Sequence, residues 1–346
     1  MPNAPYNGPH PLDNPPPFHS RLLDYGERPY WSPDGKRIAF IESNYGDASE
    51  IDFETRKVRK LTHGLGDHHS FLRVLFMYDG SYILIGPKEF KDRHISRRVE
   101  SEMWWMDREA KRPPIPLGRT LFEGMGVSWI AARITYAVND LQQPSLGEGV
   151  SECYISEIDT SDERRPRLGA TRRIYRVEDG RRPEPQDFRH ADREVIFAEY
   201  GSAASRATGT FKCTVQGVNV ETGARRVYIN EPRIHNECEG IFPDHEHCCL
   251  ESGVDSDAAN PLPIDLWKLA LDGSWRRVRL TRMCDHKPWR ATNSNVSPDG
   301  LWLAFMTNIQ GDEAGYGRGL GLLDLAAWEA SPQSQQWETA PVEPDD

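Results

Sequence analysis

Several familiar signatures are missing from this chain of 346 residues, and each absence removes a class of function. There is no G-x-S-x-G elbow, which excludes the strained serine nucleophile of α/β-hydrolases. Walker and dinucleotide-binding fingerprints are absent too, which excludes nucleotide chemistry of those kinds. The six cysteines, Cys153, Cys213, Cys238, Cys248, Cys249 and Cys284, show neither C-x-x-C spacing nor the density of a disulfide scaffold. They read as reduced, mostly buried thiols. Cys248 and Cys249 are adjacent, so a strand would point them to opposite faces and away from a shared metal.

Long apolar runs are missing as well: nothing approaches the roughly 18 residues of a membrane span. Residues 1–18 are rich in Pro and Asn and lack the basic-then-apolar order of a secretory leader, which predicts a cytoplasmic protein. A basic surface is also lacking. The formal net charge is −11, whereas a nucleic-acid backbone calls for a positive footprint. Residues 329–346 hold five acids and no Lys or Arg, in a stretch that reads as a disordered acidic tail. Residues 91–193 are balanced, with 19 Lys plus Arg against 18 Asp plus Glu, and leave room for an anionic small substrate.

What the chain does have is repetition. Trp31-Ser32-Pro33-Asp34-Gly35-Lys36-Arg37-Ile38-Ala39-Phe40 near one end is echoed by Val296-Ser297-Pro298-Asp299-Gly300-Leu301-Trp302-Leu303-Ala304-Phe305 near the other. Aligning on the apolar residue before the turn gives six anchors, Trp31, Phe76, Trp129, Phe188, Phe242 and Val296, spaced by 45, 53, 59, 54 and 54 residues. Each unit continues with alternating β-rich runs. Four antiparallel strands repeated around a ring predict an all-β fold, a single β-propeller. Six four-stranded blades fit best; seven would require the Pro-rich N-terminus to build one. The last unit lacks a fourth strand, and residues 21–25 are expected to supply it and close the ring. This divides the chain into an arm over 1–20, the propeller over 21–328 and the tail over 329–346.

The phrase from Arg28 to Phe40, with Asn295-Val296-Ser297-Pro298-Asp299-Gly300 and the unit-ending Leu61-Thr62 and Leu280-Thr281, resembles the repeat of TolB-like propellers. A weaker resemblance is to oligogalacturonate-lyase-like enzymes. The repeat is specific for fold and says little about function.

In such a fold the longer loops share one face: 86–101, 139–151, 200–213, 252–263 and 308–318. Residues entering the innermost strands should ring the channel mouth there. They are unusually polar: Glu27, Arg28, His68, His69, Glu123, Glu184, Gln186, His235, Glu237, Glu239, Asn293 and Asn295. His63 to His69 places imidazoles beside Asp67 at a unit junction, suited to a base or a metal ligand. His235-Asn236-Glu237-Cys238-Glu239-Gly240 puts Glu237 and Glu239 on one side of an extended strand. His245-Glu246-His247 occupies a turn on the opposite face and reads as surface. The glycines over 311–319 precede no helix, so they read as a rim loop.

The lyase resemblance implies β-elimination on a uronate-containing saccharide, which needs a base beside the carboxylate and a cation to stabilise the enolate-like intermediate. His68, His69, Glu237 and Glu239 are then the catalytic candidates. Arg28, Arg97, Arg98, Glu123, Gln186, Asn293 and Arg318 are the substrate-binding ones. A divalent metal, manganese or calcium, would sit on His235 and Glu237, because the histidine-rich blade entry of those lyases is replaced here by Thr292-Asn293-Ser294-Asn295. The alternatives are a non-catalytic TolB-like propeller gripping a protein segment or ligand through an apolar rim of Trp104, Trp105 and Trp289, or a metal-independent enzyme using the channel as a pocket.

Overall fold

The computed structural model describes residues 5–207, 212–231, 234–253, 263–313 and 315–340. The expected loops 200–213, 252–263 and 308–318 and the two termini therefore lie partly outside the described residues. The fold is an all-β propeller. Unit one is the sheet Glu27–Trp31, Arg37–Ile41, Ala48–Asp52, Val58–Lys60, and unit two is Arg73–Phe76, Tyr82–Gly86, Glu102–Met106, Ile115–Thr120. Unit three runs Phe122–Val127, Arg133–Asn139, Ser151–Asp159, Arg167–Val177. The innermost strand comes first in each.

The expectation of six or seven separate blades is corrected here: four four-stranded sheets stand alone, and the rest form one sheet of nine strands. That sheet contains unit four (Arg182–Arg189, Glu194–Tyr200, Cys213–Asn219, Arg225–Ile229) and unit five (His235–Ile241, His247–Gly253, Asp265–Ala270, Arg276–Arg279). A single parallel bridge between Cys213 and His235 fuses them.

The turn sequence explains why the repeat is so recognisable. Ser32 donates its hydroxyl to Asp34 at 2.6 Å, and the Lys36 amide donates to the same carboxylate at 3.1 Å. Gly35 follows at φ +67, a left-handed conformation that a side chain would strain. Ser297, Asp299 and Gly300 rebuild the same turn, with Ser297 donating to Asp299 at 2.5 Å. Five of the six anchors are core: Trp31, Phe76, Phe188, Phe242 and Val296 are buried, and Trp129 is half-buried.

Ring closure follows the sequence reading closely. His19–Leu23 pairs antiparallel with Leu320–Asp324, completing the sheet of Trp289–Val296 and Trp302–Ile309. Across the seam the Trp31 amide donates to Asn295 Oδ1 at 2.7 Å. All six cysteines are free and five are buried. Cys248 and Cys249 fall in different core clusters, as their adjacency on one strand requires.

The stretch read as a disordered tail needs correction as far as Ala340. Ser334 and Ala340 are buried, Pro332–Gln335 forms a helical turn, and Glu338–Thr339 adds a strand to Arg276–Arg279. Glu338 reaches Arg277 at 2.9 Å, and Lys268 reaches Glu329 at 3.0 Å. Composition hid this because aromatic and acidic contacts to an existing sheet edge substitute for a core of its own. Residues 341–346 lie outside the described residues. At the other end Leu12 is buried and Tyr6 packs edge-on to Trp289. Among the described residues no helix is long and apolar enough to cross a membrane.

Candidate functional site

The innermost strands all enter the channel from the same end, so equal offsets from the anchors put residues at equal depth. Three residues before four of the six anchors lie Arg28, Arg73, Glu239 and Asn293, and together with Gln186 they line one cavity with room of about 20 Å³. That holds one or two waters. Tyr30 lines this cavity and also a second one of about 20 Å³ at the anchor end, formed with Trp31, Phe76, Val127, Trp129 and Pro298.

The mouth is a buried charge network. Arg97 pairs with Glu123, and Arg28 approaches the same carboxylate at 3.7 Å. Arg73 donates to Glu184 Oε1 at 3.4 Å, which also accepts from Gln186 at 3.2 Å. His235 and Glu237 share a hydrogen bond of 3.0 Å, and Tyr200 also bonds to Glu237. Asn293 donates its side-chain amide to Glu239 at 3.1 Å and its backbone amide to Glu251. Glu27 accepts from the Gly317 amide at 3.0 Å.

Three arginines thus meet six glutamates in a buried network, and the glutamates divide into two kinds. Burial alone would raise Glu123, but Arg97 and then Arg28 hold it down to about 2. Glu237 is also held below its ordinary value against burial, chiefly by His235, which is itself raised by that bond despite its burial. Glu184 goes the other way, to about 8, through burial and the neighbouring charges of Glu123 and Glu237. Glu251 rises to about 7 through burial and Glu237, and Glu239 rises well above the usual range through burial and Glu251. A surplus of buried carboxylates is stable only if some keep their protons or a cation joins them.

One group of donors fits such a cation. Single ligand atoms of His235, Glu237 and Glu251 all lie within 4.8 Å of one another. One imidazole nitrogen with two carboxylates suits manganese or another first-row metal better than calcium, whose ligands are all oxygen.

The structure brings Arg28, Arg97, Glu123, Gln186, His235, Glu237, Glu239 and Asn293 together at the mouth. It places His68, His69, Arg98 and Arg318 elsewhere. The strand Arg73–Phe76 is short, so residues 68 and 69 remain in the connection between units. His68 is wedged against Phe71 and Trp104, both at 4.2 Å, and burial, then His69, lowers it to about 4. His69 bonds Asp47 at 2.7 Å on the surface. Arg98 is exposed at the end of the helix Arg93–Arg98, and Arg318 pairs with Asp312 at 2.7 Å. His247 caps its turn through Asp244 at 2.8 Å, on the opposite face as expected.

Sequence reasoning missed Arg73, Glu251 and Tyr200. Arg73 carried a signal, since it stands at the same offset as Arg28 and Glu239. Glu251 is the cross-strand partner of Glu237 and becomes visible only once the second strand is registered on the first. Trp104, Trp105 and Trp289, the expected apolar rim, are all buried and form none.

No family model matches this sequence, and no curated protein matches it. Solved structures do. A gluconolactonase from Xanthomonas campestris is 13% identical with a TM-score of 0.53, over 88% of this chain and 89% of that one. An oligogalacturonate lyase in complex with manganese is 13% identical with a TM-score of 0.49, over 90% and 94%. TolB from Acinetobacter baumannii is 13% identical with a TM-score of 0.46, over 80% of this chain; the chain spans 61% of TolB. At such identities the likeness is one of fold: the chain is similar to TolB and oligogalacturonate lyase as a β-propeller.

Proposed function

We propose that the channel mouth is the active site of an enzyme that binds a divalent metal on His235, Glu237 and Glu251 and acts on a small uronate-type carboxylate by β-elimination. The observation that carries this reading is the meeting of those three donors inside 4.8 Å, beside buried arginines. Manganese, when bound, would supply the positive charge that an enolate-like intermediate needs. Arg73 and Arg28 are placed to hold the substrate carboxylate. Glu184, pushed up to about 8, has the affinity to take or return a proton near neutral pH. It replaces His68 and His69 in that role, because neither enters the mouth. In the same reading units four and five are two blades fused at one bridge, and the ring has six.

The test is calorimetric titration of chelator-treated protein with Mn²⁺, followed by a turnover screen on uronates monitored by absorbance of the unsaturated product. Stoichiometric Mn²⁺ binding and product formation support the proposal. Protein that takes up no Mn²⁺ would refute the metal site, and binding without any turnover would refute the reaction.

A further inference from the structure

The segment between Tyr82–Gly86 and Glu102–Met106 belongs by sequence to unit two, where Lys88 approaches Glu102 at 3.6 Å, yet several of its contacts are with other units. Arg97 of the helix Arg93–Arg98 pairs with Glu123 of unit three. The Arg98 carbonyl accepts from Gln142 of unit three. Arg93 approaches Glu313, in the loop after Trp302–Ile309 of the closing sheet, at 3.6 Å. Phe90 lies against Tyr45 of unit one, ring centres 4.5 Å apart. A segment anchored in unit two that touches units one and three and the closing sheet spans the mouth.

Its internal structure is slight. The helix is six residues long, capped by Asp92, which accepts from the Ile95 amide at 2.9 Å. Ser96 Oγ accepts from the Lys91 amide at 2.9 Å. Ser96 is its buried residue, while Phe90 is 46% exposed. A helix this short does not persist on its own, so polar contacts to the rim hold it. Few buried apolar contacts and several exposed polar ones mark a segment that opens independently of its scaffold.

The channel supplies a reason for it to open. The cavity holds only one or two waters, too little for an organic ligand beside Arg73 in this conformation. Arg28 Nε and Arg73 Nε are buried in that cavity's walls without hydrogen-bond partners, on side chains 5% and 12% exposed. Two unsatisfied guanidinium donors are costly unless an acceptor arrives. We propose that residues 87–100 form a lid latched by Arg97 on Glu123 and Arg93 on Glu313, and that it opens to admit a small carboxylate to Arg28 and Arg73. This rests on the mouth being the functional site. A ligand enclosed beneath the closed helix is a single small molecule, since a longer chain leaving the mouth would meet the helix.

Hydrogen exchange of the full chain tests the lid without metal or turnover. In Glu123→Gln exchange over residues 87–100 should rise about tenfold, as expected for loss of a charged hydrogen bond, and in the surface variant Arg93→Ala, which loses an exposed ion pair, by about two- to threefold. The flanking strands Tyr82–Gly86 and Glu102–Met106 should stay protected. Unchanged exchange over 87–100 in both variants, or loosening of the flanking strands together with it, would overturn the lid. Glucuronate at saturating concentration should slow exchange over 87–100 in the wild type. A lid that responds to both variants and not to glucuronate speaks against the uronate reading, and the lid stands.

Discussion

The two ends of the channel are built by the same innermost strands and obey different rules. At the anchor end Trp31, Phe76 and Trp129 recur at one offset and close on each other with apolar surface. Three residues earlier, the same strands carry Arg28, Arg73, Glu239 and Asn293, which share polarity and nothing else. Position in the repeat therefore fixes where a side chain points, and packing constrains its identity only at the anchor end. The mouth is free to hold charge because its neighbours there supply counter-charge.

The sharpest break of this comparison comes from the anchor end. Trp31→Ala should cost about 3–5 kcal/mol through the cavity it leaves, read by chemical denaturation, while Mn²⁺ affinity changes little. Equal loss of both would mean that the two ends are one cooperative unit. Next in size, Glu237→Gln with Glu251→Gln should weaken Mn²⁺ binding by more than about 100-fold. Melting should hold or rise, because two crowded carboxylates are relieved. A large fall in melting would assign them a structural role instead.

A third test uses pH. Glu27 is raised from 4.5 to about 7, chiefly by burial. Below pH 4.5 it is protonated whether the chain is folded or not. As pH rises toward about 7 only the unfolded chain ionises, so stability falls, and above 7 the loss is complete. Glu27→Gln should therefore gain about 2 kcal/mol over wild type at pH 8.5 and nothing at pH 4. A gain independent of pH would show that burial of the charge is not the cause. The smallest effect belongs outside the channel: removing residues 332–346 should cost about 1 kcal/mol by uncovering the edge of Arg276–Arg279, whereas removing 341–346 should cost nothing measurable. Altered Mn²⁺ binding in either truncation would link that edge to the mouth.

Much of the fold was legible because turns and anchors are local. Ser-Pro-Asp-Gly declares its conformation within four residues, and the spacing of anchors then orders the strands. The closing strand was placed at 21–25 and lies at His19–Leu23, a shift that left its pairing intact. The fused nine-stranded sheet was not legible, since a bridge between Cys213 and His235 depends on how two neighbouring units tilt. At the mouth, Arg28, Glu123 and Glu237 were readable as polar residues at the entry to innermost strands. His68 and His69 misled because chemistry was weighed ahead of register: no strand carries them inward. Glu251 needed cross-strand pairing, and the fate of each carboxylate needed the whole network, since its proton affinity is set by neighbours from other units.

Closure of the ring has a consequence for the order in which the molecule is made. Units one to five can each pair strands from contiguous sequence as the chain emerges from the ribosome, but His19 must wait for Leu323. The entropy of closing so long a loop grows only slowly with its length, yet the event cannot begin until nearly all of the chain exists. Arg28 and Asn293 face each other across that seam. The mouth is therefore the last part of the molecule to be assembled, and a prematurely terminated chain would carry five folded units and no competent site.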